Sequence, residues 1–334
     1  MAKDKPIVKV ENLVKWFPVR LGFISTLLGQ RLFVRAVDNI SFEIKKAEIF
    51  GLAGESGSGK TTTGRLILRL IEPTKGRIWF EGREISRLKP KELKPLRRKM
   101  QIIFQDPYES LNPRMTIRAI LEEPLNVQGV SREEIENRIY QVLEDVDLIP
   151  PEEFLLRYPH ELSGGQRQRI GVARALILNP EFIVADEPVS MLDISIRAGI
   201  LDLLLELRKK YKVSLLYITH DLALARHICD RLAIMYLGKI MEMGDMDEVV
   251  GKPMHPYTKA LMAAVPVPDP TSARIEVVVK GEIPSPVNPP PGCRFHTRCP
   301  SYIGDVCRRK EPPLIEVNKG RWVACHLYSS SKKQ

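Results

Sequence analysis

The stretch Ile49-Phe-Gly-Leu-Ala-Gly54-Glu55-Ser56-Gly57-Ser58-Gly59-Lys60-Thr61-Thr62 decides the fold. An apolar run short enough for a buried strand meets a G-x-x-x-x-G-K-[ST] loop, and a helical run, Thr61 to Ile71, follows. The glycines let the backbone curl so that successive N–H groups point inward, and the helix adds the positive end of its dipole. Such a nest fits an anion of triphosphate size. Lys60 would reach its β- and γ-phosphates and the Thr61 hydroxyl would ligate Mg²⁺.

A loop of this kind needs a second strand ending in an acid. Phe182-Ile-Val-Ala-Asp186-Glu187 supplies it. Asp186 is placed to hold the Mg²⁺ water shell, and Glu187 to take a proton from an attacking water. Val213 to Thr219 reads as a third buried strand. Ile200, Leu203, Leu204 and Leu207 recur at helical spacing, so Ser195 to Tyr211 reads as an amphipathic helix ending in Arg208, Lys209 and Lys210, where cations suit the dipole. Short β-rich runs alternating with helical ones describe an α/β chain with a parallel sheet.

The 334 residues are 44% hydrophobic and 28% charged, which excludes general disorder and affords more than one domain. No stretch approaches the roughly 18 apolar residues of a membrane span, and MAKDKPIVKV offers no signal-peptide block. The net charge of +10 admits an acidic partner without selecting one. Half of the 26 prolines fall in residues 251–334, with 13 Lys+Arg against 6 Asp+Glu. We therefore expect a cassette over 1–250 and a C-terminal extension over 251–334, irregular because Pro266, Pro268 and Pro270 and then Pro289, Pro290 and Pro291 oppose regular helix. The basic run Arg83 to Lys99 has no interleaved aromatic and reads as a solvated face rather than a nucleic-acid site.

Leu162-Ser163-Gly164-Gly165-Gln166 precedes a helical run, Arg167 to Leu178. With this motif after the phosphate loop, the chain resembles the ATPase subunits of ATP-binding cassette (ABC) transporters over roughly residues 7–250. The resemblance implies a P-loop NTPase cassette: a RecA-like core, an antiparallel β-subdomain and a helical subdomain over about 106–179. It implies that Gln105 senses Mg²⁺ and the γ-phosphate, that Asp193 belongs to the D-loop, and that His220 is the switch histidine. It also implies that two cassettes dimerise head to tail, so that Ser163, Gly164, Gly165 and Gln166 serve the ATP held by the opposite one. The aromatic that stacks on adenine falls at Trp16-Phe17, and spacing favours Phe17, just before an apolar insertion over 18–34.

Gln105-Asp-Pro-Tyr-Glu-Ser-Leu-Asn-Pro, His255-Pro-Tyr-Thr-Lys-Ala-Leu, Gly281-Glu-Ile-Pro-Ser-Pro and Gly292-Cys-Arg-Phe-His look like the oligopeptide/dipeptide/nickel importer branch, and within it the subunit usually called F. That likeness implies ATP hydrolysis coupled to solute uptake at the cytoplasmic face of the membrane. Its partners would be a paralogous ATPase, two membrane permeases and, indirectly, a solute-binding protein. The rival reading, a soluble ABC ATPase acting on nucleic acid or ribosomes, expects two joined cassettes or a coiled coil, and neither is present. Two departures are small: Ala47 stands where a turn glycine is common, and Met191 where alanine is common.

Four of the five cysteines, Cys293, Cys299, Cys307 and Cys325, lie in the extension at spacing C-x5-C-x7-C-x17-C. In a reducing compartment disulfides are disfavoured, and four thiolates could hold Zn²⁺, with His296 or His326 available, or a [4Fe–4S] cluster. The spacing matches neither the short zinc-ribbon pairs nor the ferredoxin run. Resemblance to ATPases of this branch that carry an iron–sulfur cluster points to the cluster. Cys229, isolated within the cassette, reads as core.

Overall fold

The computed structural model describes residues 5–19, 32–106, 110–264 and 281–329. Most of the 18–34 insertion (20–31) and the first proline cluster (within 265–280) lie outside the described residues. The strands are β1 (Val8–Pro18), β2 (Phe33–Ile44), β3 (Ile49–Ala53), β4 (Lys75–Phe80), β5 (Arg83–Glu84), β6 (Met100–Ile103), β7 (Phe182–Asp186), β8 (Ser214–Thr219), β9 (Arg231–Tyr236), β10 (Lys239–Asp245), β11 (Ile315–Asn318) and β12 (Arg321–Val323). Two compact units divide the described chain: 8–19, 32–43, 49–87, 218–264 and 281–329 in one, and 5–7, 44–48, 88–106 and 110–217 in the other.

In the first unit, β1 alternates buried Val8 and Val10 with outward Lys9 and Glu11, so one face can be covered while the other is wet. It pairs antiparallel with β4 in the register Val8 to Phe80 and Val10 to Ile78, which sets apolar side chains opposite one another. The order β2-β1-β4-β5 completes this sheet. A second run of strands follows the order β11-β12-β10-β9-β3, with β3 and β9 parallel. β3 is buried at every residue, as a strand covered on both faces requires. Cys229 belongs to this core: its sulfur lies so close to β3 that a Cβ added at Gly51 would stand 2.9 Å from it.

Helix α1 (Lys60–Ile67) springs from the end of the loop after β3. It is shorter than its sequence suggests, because Arg69 turns into the left-handed region at φ 51°.

The second unit holds β6 parallel to β7, with β8 beside β7. Its helices include α2 (Ile117–Val127), α3 (Arg132–Asp145), α4 (Gly164–Leu176) and α5 (Ile194–Tyr211). Thr116 caps α2 by accepting from the Ala119 amide, and Ser131 caps α3 by accepting from the Glu134 amide. α4 begins three residues before the expected Arg167, because the serine of the LSGGQ motif is itself the cap. Ala47 takes φ 55°, a conformation that favours glycine; its N–H donates to Ser214 Oγ at 2.8 Å and its carbonyl accepts from Arg208 at 2.8 Å.

The described part of 251–329 contains regular structure within the first unit. α6 (Pro256–Ala264) opens on a proline, where the missing N–H costs nothing, and β12 adds to β10 in the register Glu242 to Val323 and Met243 to Trp322. The prolines that argued against regularity stand outside these elements. Glu242, wholly buried, is the anchor: it accepts from the backbone N–H groups of Met254 and His255 and pairs with Arg321, also buried, at 2.5 Å. Removing one partner of such a pair would strand a charge in the core. His255 beside it is neutral, since burial pushes its imidazole down to about 3 while Nδ1 accepts from the Tyr257 amide.

Candidate nucleotide site

The phosphate loop takes its shape from glycine at two positions. Gly54 has φ 151°, and a Cβ there would meet the Met235 carbonyl oxygen at 2.1 Å; Gly59 has φ 104°, and a Cβ would meet the Ala36 carbonyl oxygen at 2.1 Å. Any side chain at either point would push against backbone. Lys60, buried, turns its Nζ back over the loop to donate to the carbonyls of Gly54 (2.8 Å) and Glu55 (3.0 Å). Ser56 and Gly57 face solvent, Ser58 is buried with its carbonyl accepting from the Gly238 amide, and Thr61 and Thr62 are half-buried on the first turn of α1. A glycine-shaped turn leading into a helix start, with a lysine ammonium folded over its carbonyls, is the kind of arrangement that binds phosphate.

In the same unit the loop is gripped from the extension. The Glu55 amide donates to the Tyr257 hydroxyl at 3.0 Å, and the Glu55 carboxylate pairs with Arg298 at 3.0 Å. Neither Tyr257 nor Arg298 was singled out in the sequence as a site residue. Tyr257 lies in the His-Pro-Tyr-Thr motif, which was the available signal; Arg298 carried none beyond lying beside Cys299.

Phe17 is exposed at the end of β1, with Lys15 Nζ 5.0 Å from its ring centre. Its neighbour Trp16 is committed elsewhere: Arg35 stacks on it at 4.8 Å and its Nε1 donates to Asp38. His220 follows β8 and is exposed, immediately before Asp221, whose carboxylate caps the next helix by accepting from the Ala223 and Leu224 amides.

The second unit carries the acidic candidates. β7 delivers Asp186 buried at its end, and Glu187 follows at φ 46°, a left-handed conformation costing an ordinary residue about 1–2 kcal/mol and found at sites that must aim a side chain. The structure brings Gln105 and Glu187 together, with Gln105 Nε2 donating to the Glu187 carboxylate at 3.3 Å. Ser190 fixes the Glu187 carbonyl through both its amide and its hydroxyl. Within this unit, Asp186 and Gln105 both carry side-chain oxygen donors, the donor type Mg²⁺ takes.

At α4, Ser163 and Gln166 form a reciprocal capping box: the Gln166 amide donates to Ser163 Oγ, and the Ser163 amide donates to Gln166 Oε1 at 3.0 Å. Leu162 is buried and Ser163 exposed, so the motif is anchored at one end and presented at the other. Gly165 packs so closely that a Cβ would meet Ile196 at 2.9 Å. Asp193 is exposed at the start of α5, and Met191 is exposed beside it.

The four cysteines of the extension are unpaired; Cys293, Cys307 and Cys325 are buried and Cys299 is half-buried. The Cys293 amide donates to the Cys307 carbonyl at 2.8 Å. Burial pushes the Cys293 thiol up to about 12, against a backbone hydrogen bond at Phe295 and with Cys325, Cys299 and Cys307 adding to the rise. Burial also lifts Cys299 to about 11, with Cys325 and Cys307 contributing, and raises Cys325, with Cys307 contributing. Among the described residues no three His, Cys, Asp or Glu side chains close on a common point as a single metal ion requires, so the expected metal centre is not supported by this arrangement. His296 and His326 each hydrogen-bond through one ring nitrogen to a backbone carbonyl, of Cys293 and Lys310 respectively.

Residues 37–190 match the family described as ABC transporter, and residues 241–307 match the oligopeptide/dipeptide transporter C-terminal region. The chain is 49% identical to a probable peptide ABC transporter ATP-binding protein, y4tS, of Sinorhizobium fredii, over 96% of this chain and 90% of that protein. It is 47% identical to the oligopeptide transport ATP-binding protein AppF of Bacillus subtilis, over 98% and 99% respectively. Among solved structures, the dimeric post-hydrolysis cassette MJ0796 bound to ADP and phosphate superposes with a TM-score of 0.62 at 31% identity, covering 72% of this chain and 98% of that one. CbiO1 of Clostridium perfringens superposes with a TM-score of 0.63 at 26% identity, covering 75% of this chain and 92% of that one. On these grounds the chain belongs to the ATP-binding proteins of ABC transporters, with the mixed α/β cassette fold of that family.

Proposed function

We propose that this protein is the ATP-hydrolysing subunit of an importer for oligopeptides, dipeptides or related solutes. The observation that carries the reading is the intact phosphate loop, with Gly54 and Gly59 where only glycine fits and Lys60 buried across its carbonyls. In the hydrolytic step Glu187 takes one proton of a water as that water's oxygen bonds to the γ-phosphorus. The bond from that phosphorus to the β–γ bridging oxygen breaks, and ADP leaves with the electron pair. Gln105 orients Glu187 through the hydrogen bond they share, and His220 is assigned to the γ-phosphate side. Thr61, Asp186 and Gln105 would hold Mg²⁺, which neutralises charge on the phosphates when bound. Phe17 is assigned to the adenine. The relatives named for peptide transport support the solute class.

No helix among the described residues is long and apolar enough to cross a membrane. The proposed partners are two membrane permeases and a paralogous cassette at the cytoplasmic face, fed by a solute-binding protein. Affinity capture of the tagged chain from detergent-solubilised membranes tests this. Stoichiometric recovery of two polytopic proteins and a second cassette is expected, and recovery of the chain with ribosomes or nucleic acid instead would overturn the reading.

For the extension we propose a [4Fe–4S] cluster held by Cys293, Cys299, Cys307 and Cys325. What supports the reading is that four cysteines lie together in the extension, three of them buried and one half-buried, with the Cys293 amide donating to the Cys307 carbonyl. Cluster binding only to the folded extension would stabilise it. Anaerobically purified protein should be brown with about four irons and four sulfides per chain, and Cys299→Ser should bleach it. Zinc, or no metal, in anaerobic protein refutes the assignment.

A further inference from the structure

Glu55, the second residue of the phosphate loop, is held at three points. Its carbonyl accepts from Lys60, its amide donates to the Tyr257 hydroxyl, and its carboxylate takes a forked pair from Arg298, Nη1 at 3.0 Å from Oε2 and Nη2 at 3.4 Å from Oε1. Two of the three grips come from beyond residue 250. Arg298 is itself well fixed. Its guanidinium lies 5.9 Å from the Tyr236 ring centre and 6.0 Å from that of Phe295, and Nη1 also donates to the Tyr236 hydroxyl at 3.4 Å. Tyr236, Tyr257 and Phe295 form one buried aromatic cluster, with ring centres 4.6, 5.4 and 5.2 Å apart. The backbone of Arg298 belongs to the turn that carries the cysteines: its amide donates to the Phe295 carbonyl, and the His296 amide to that of Cys293.

We propose that Arg298 is a positioning residue for nucleotide binding, and that through Glu55 the order of the cysteine turn and the affinity of the phosphate loop for ATP are linked. The chemistry is that of a planar fork on a carboxylate, 12% and 26% exposed, where geometry as well as charge is transmitted. A loop whose amides must converge on phosphate pays an ordering cost when Glu55 is released, so ATP binds the gripped loop better. By linkage, bound ATP must then steady the turn that grips it. The link rests on the assignment of the loop to ATP but does not require the cysteines to hold a cluster.

Titration of the full chain with a fluorescent N-methylanthraniloyl ATP tests it. Arg298→Ala should weaken binding about 5- to 20-fold. Arg298→Lys, which keeps the charge and loses the fork, should recover only part. Glu55→Gln lies outside the extension and so avoids any folding failure there. It should match the loss of Arg298→Ala, and the double variant should lose no more than either single one. Hydrogen exchange gives the reciprocal reading: amides of residues 293–299 should slow on adding ATP to the unaltered chain, and should be unresponsive in Glu55→Gln. Wild-type affinity in both single variants, additive losses in the double one, or exchange indifferent to ATP in the unaltered chain would each overturn the link. Lys60→Ala separates the failures. If it binds ATP normally, the assignment of the loop is at fault; if it loses binding while Arg298→Ala and Glu55→Gln do not, only the link falls.

Discussion

Glu187→Gln is expected to lower ATP turnover of the assembled transporter by about 10²- to 10⁴-fold, the range for loss of a general base. The substitution keeps the side chain's shape. It also keeps an oxygen that can accept from Gln105 Nε2, so the 3.3 Å contact survives and the strand ending in buried Asp186 is undisturbed. What disappears is the carboxylate that takes the water's proton; a neutral amide cannot hold it. The left-handed backbone at position 187 asks nothing of the side chain's charge, so thermal stability should stay within the roughly 0.5 kcal/mol band of benign substitutions. ATP binding should persist, because the phosphates are assigned to the loop from Gly54 to Thr61. With hydrolysis blocked, the ATP-bound pair of cassettes should accumulate as a larger species on size exclusion. Phosphate release near the unaltered rate would remove Glu187 from the base assignment.

Much of this site is legible in the sequence because its information is contiguous. Ile49 to Thr62 is one peptide whose strand, turn and helix are encoded by local preference, and the structure adds the reason for its glycines, the carbonyls of Met235 and Ala36 pressed against positions 54 and 59. The LSGGQ motif is similarly local, since its serine and glutamine complete a capping box within four residues. The end of α1 was harder to read, because Ile67 to Ile71 continues the apolar pattern while Arg69 adopts a backbone conformation that no periodicity reports. The extension was harder still. Its prolines suggested irregular chain, yet Glu242 draws the amides of Met254 and His255 and the guanidinium of Arg321 into the core, and β12 completes a sheet begun by cassette residues. Such contacts depend on residues far apart in sequence. The pairing of Glu55 with Arg298 spans 243 positions, and nothing in the neighbourhood of either announces the other. The cysteines lie between these cases: their number and clustering are visible, but their failure to meet at one point is a property of tertiary placement.

The two nests of the cassette predict opposite failures when each is broken alone. Lys60→Ala removes a buried ammonium that donates to the carbonyls of Gly54 and Glu55 and is assigned to the β- and γ-phosphates. Charge-assisted hydrogen bonds are worth about 1.5–3 kcal/mol each, so nucleotide affinity of the isolated chain should fall by about tenfold to a hundredfold. Ser163→Arg acts elsewhere. Ser163 is exposed, and its role within the chain is to cap α4, which a substitution forfeits at a cost of about 1 kcal/mol in stability. If the serine serves ATP held by an opposite cassette, its loss should leave the isolated chain's affinity within about twofold, because no partner is present to be contacted. In the assembled complex the added guanidinium should obstruct closure against the partner's nucleotide, and turnover should drop by orders of magnitude while binding persists. Fluorescent nucleotide titration of both isolated variants, followed by phosphate release in the complex, separates the two roles. Equal loss of binding in the two isolated variants would mean that the loop and the LSGGQ helix hold the same nucleotide within one chain, and the head-to-tail arrangement would have to be abandoned.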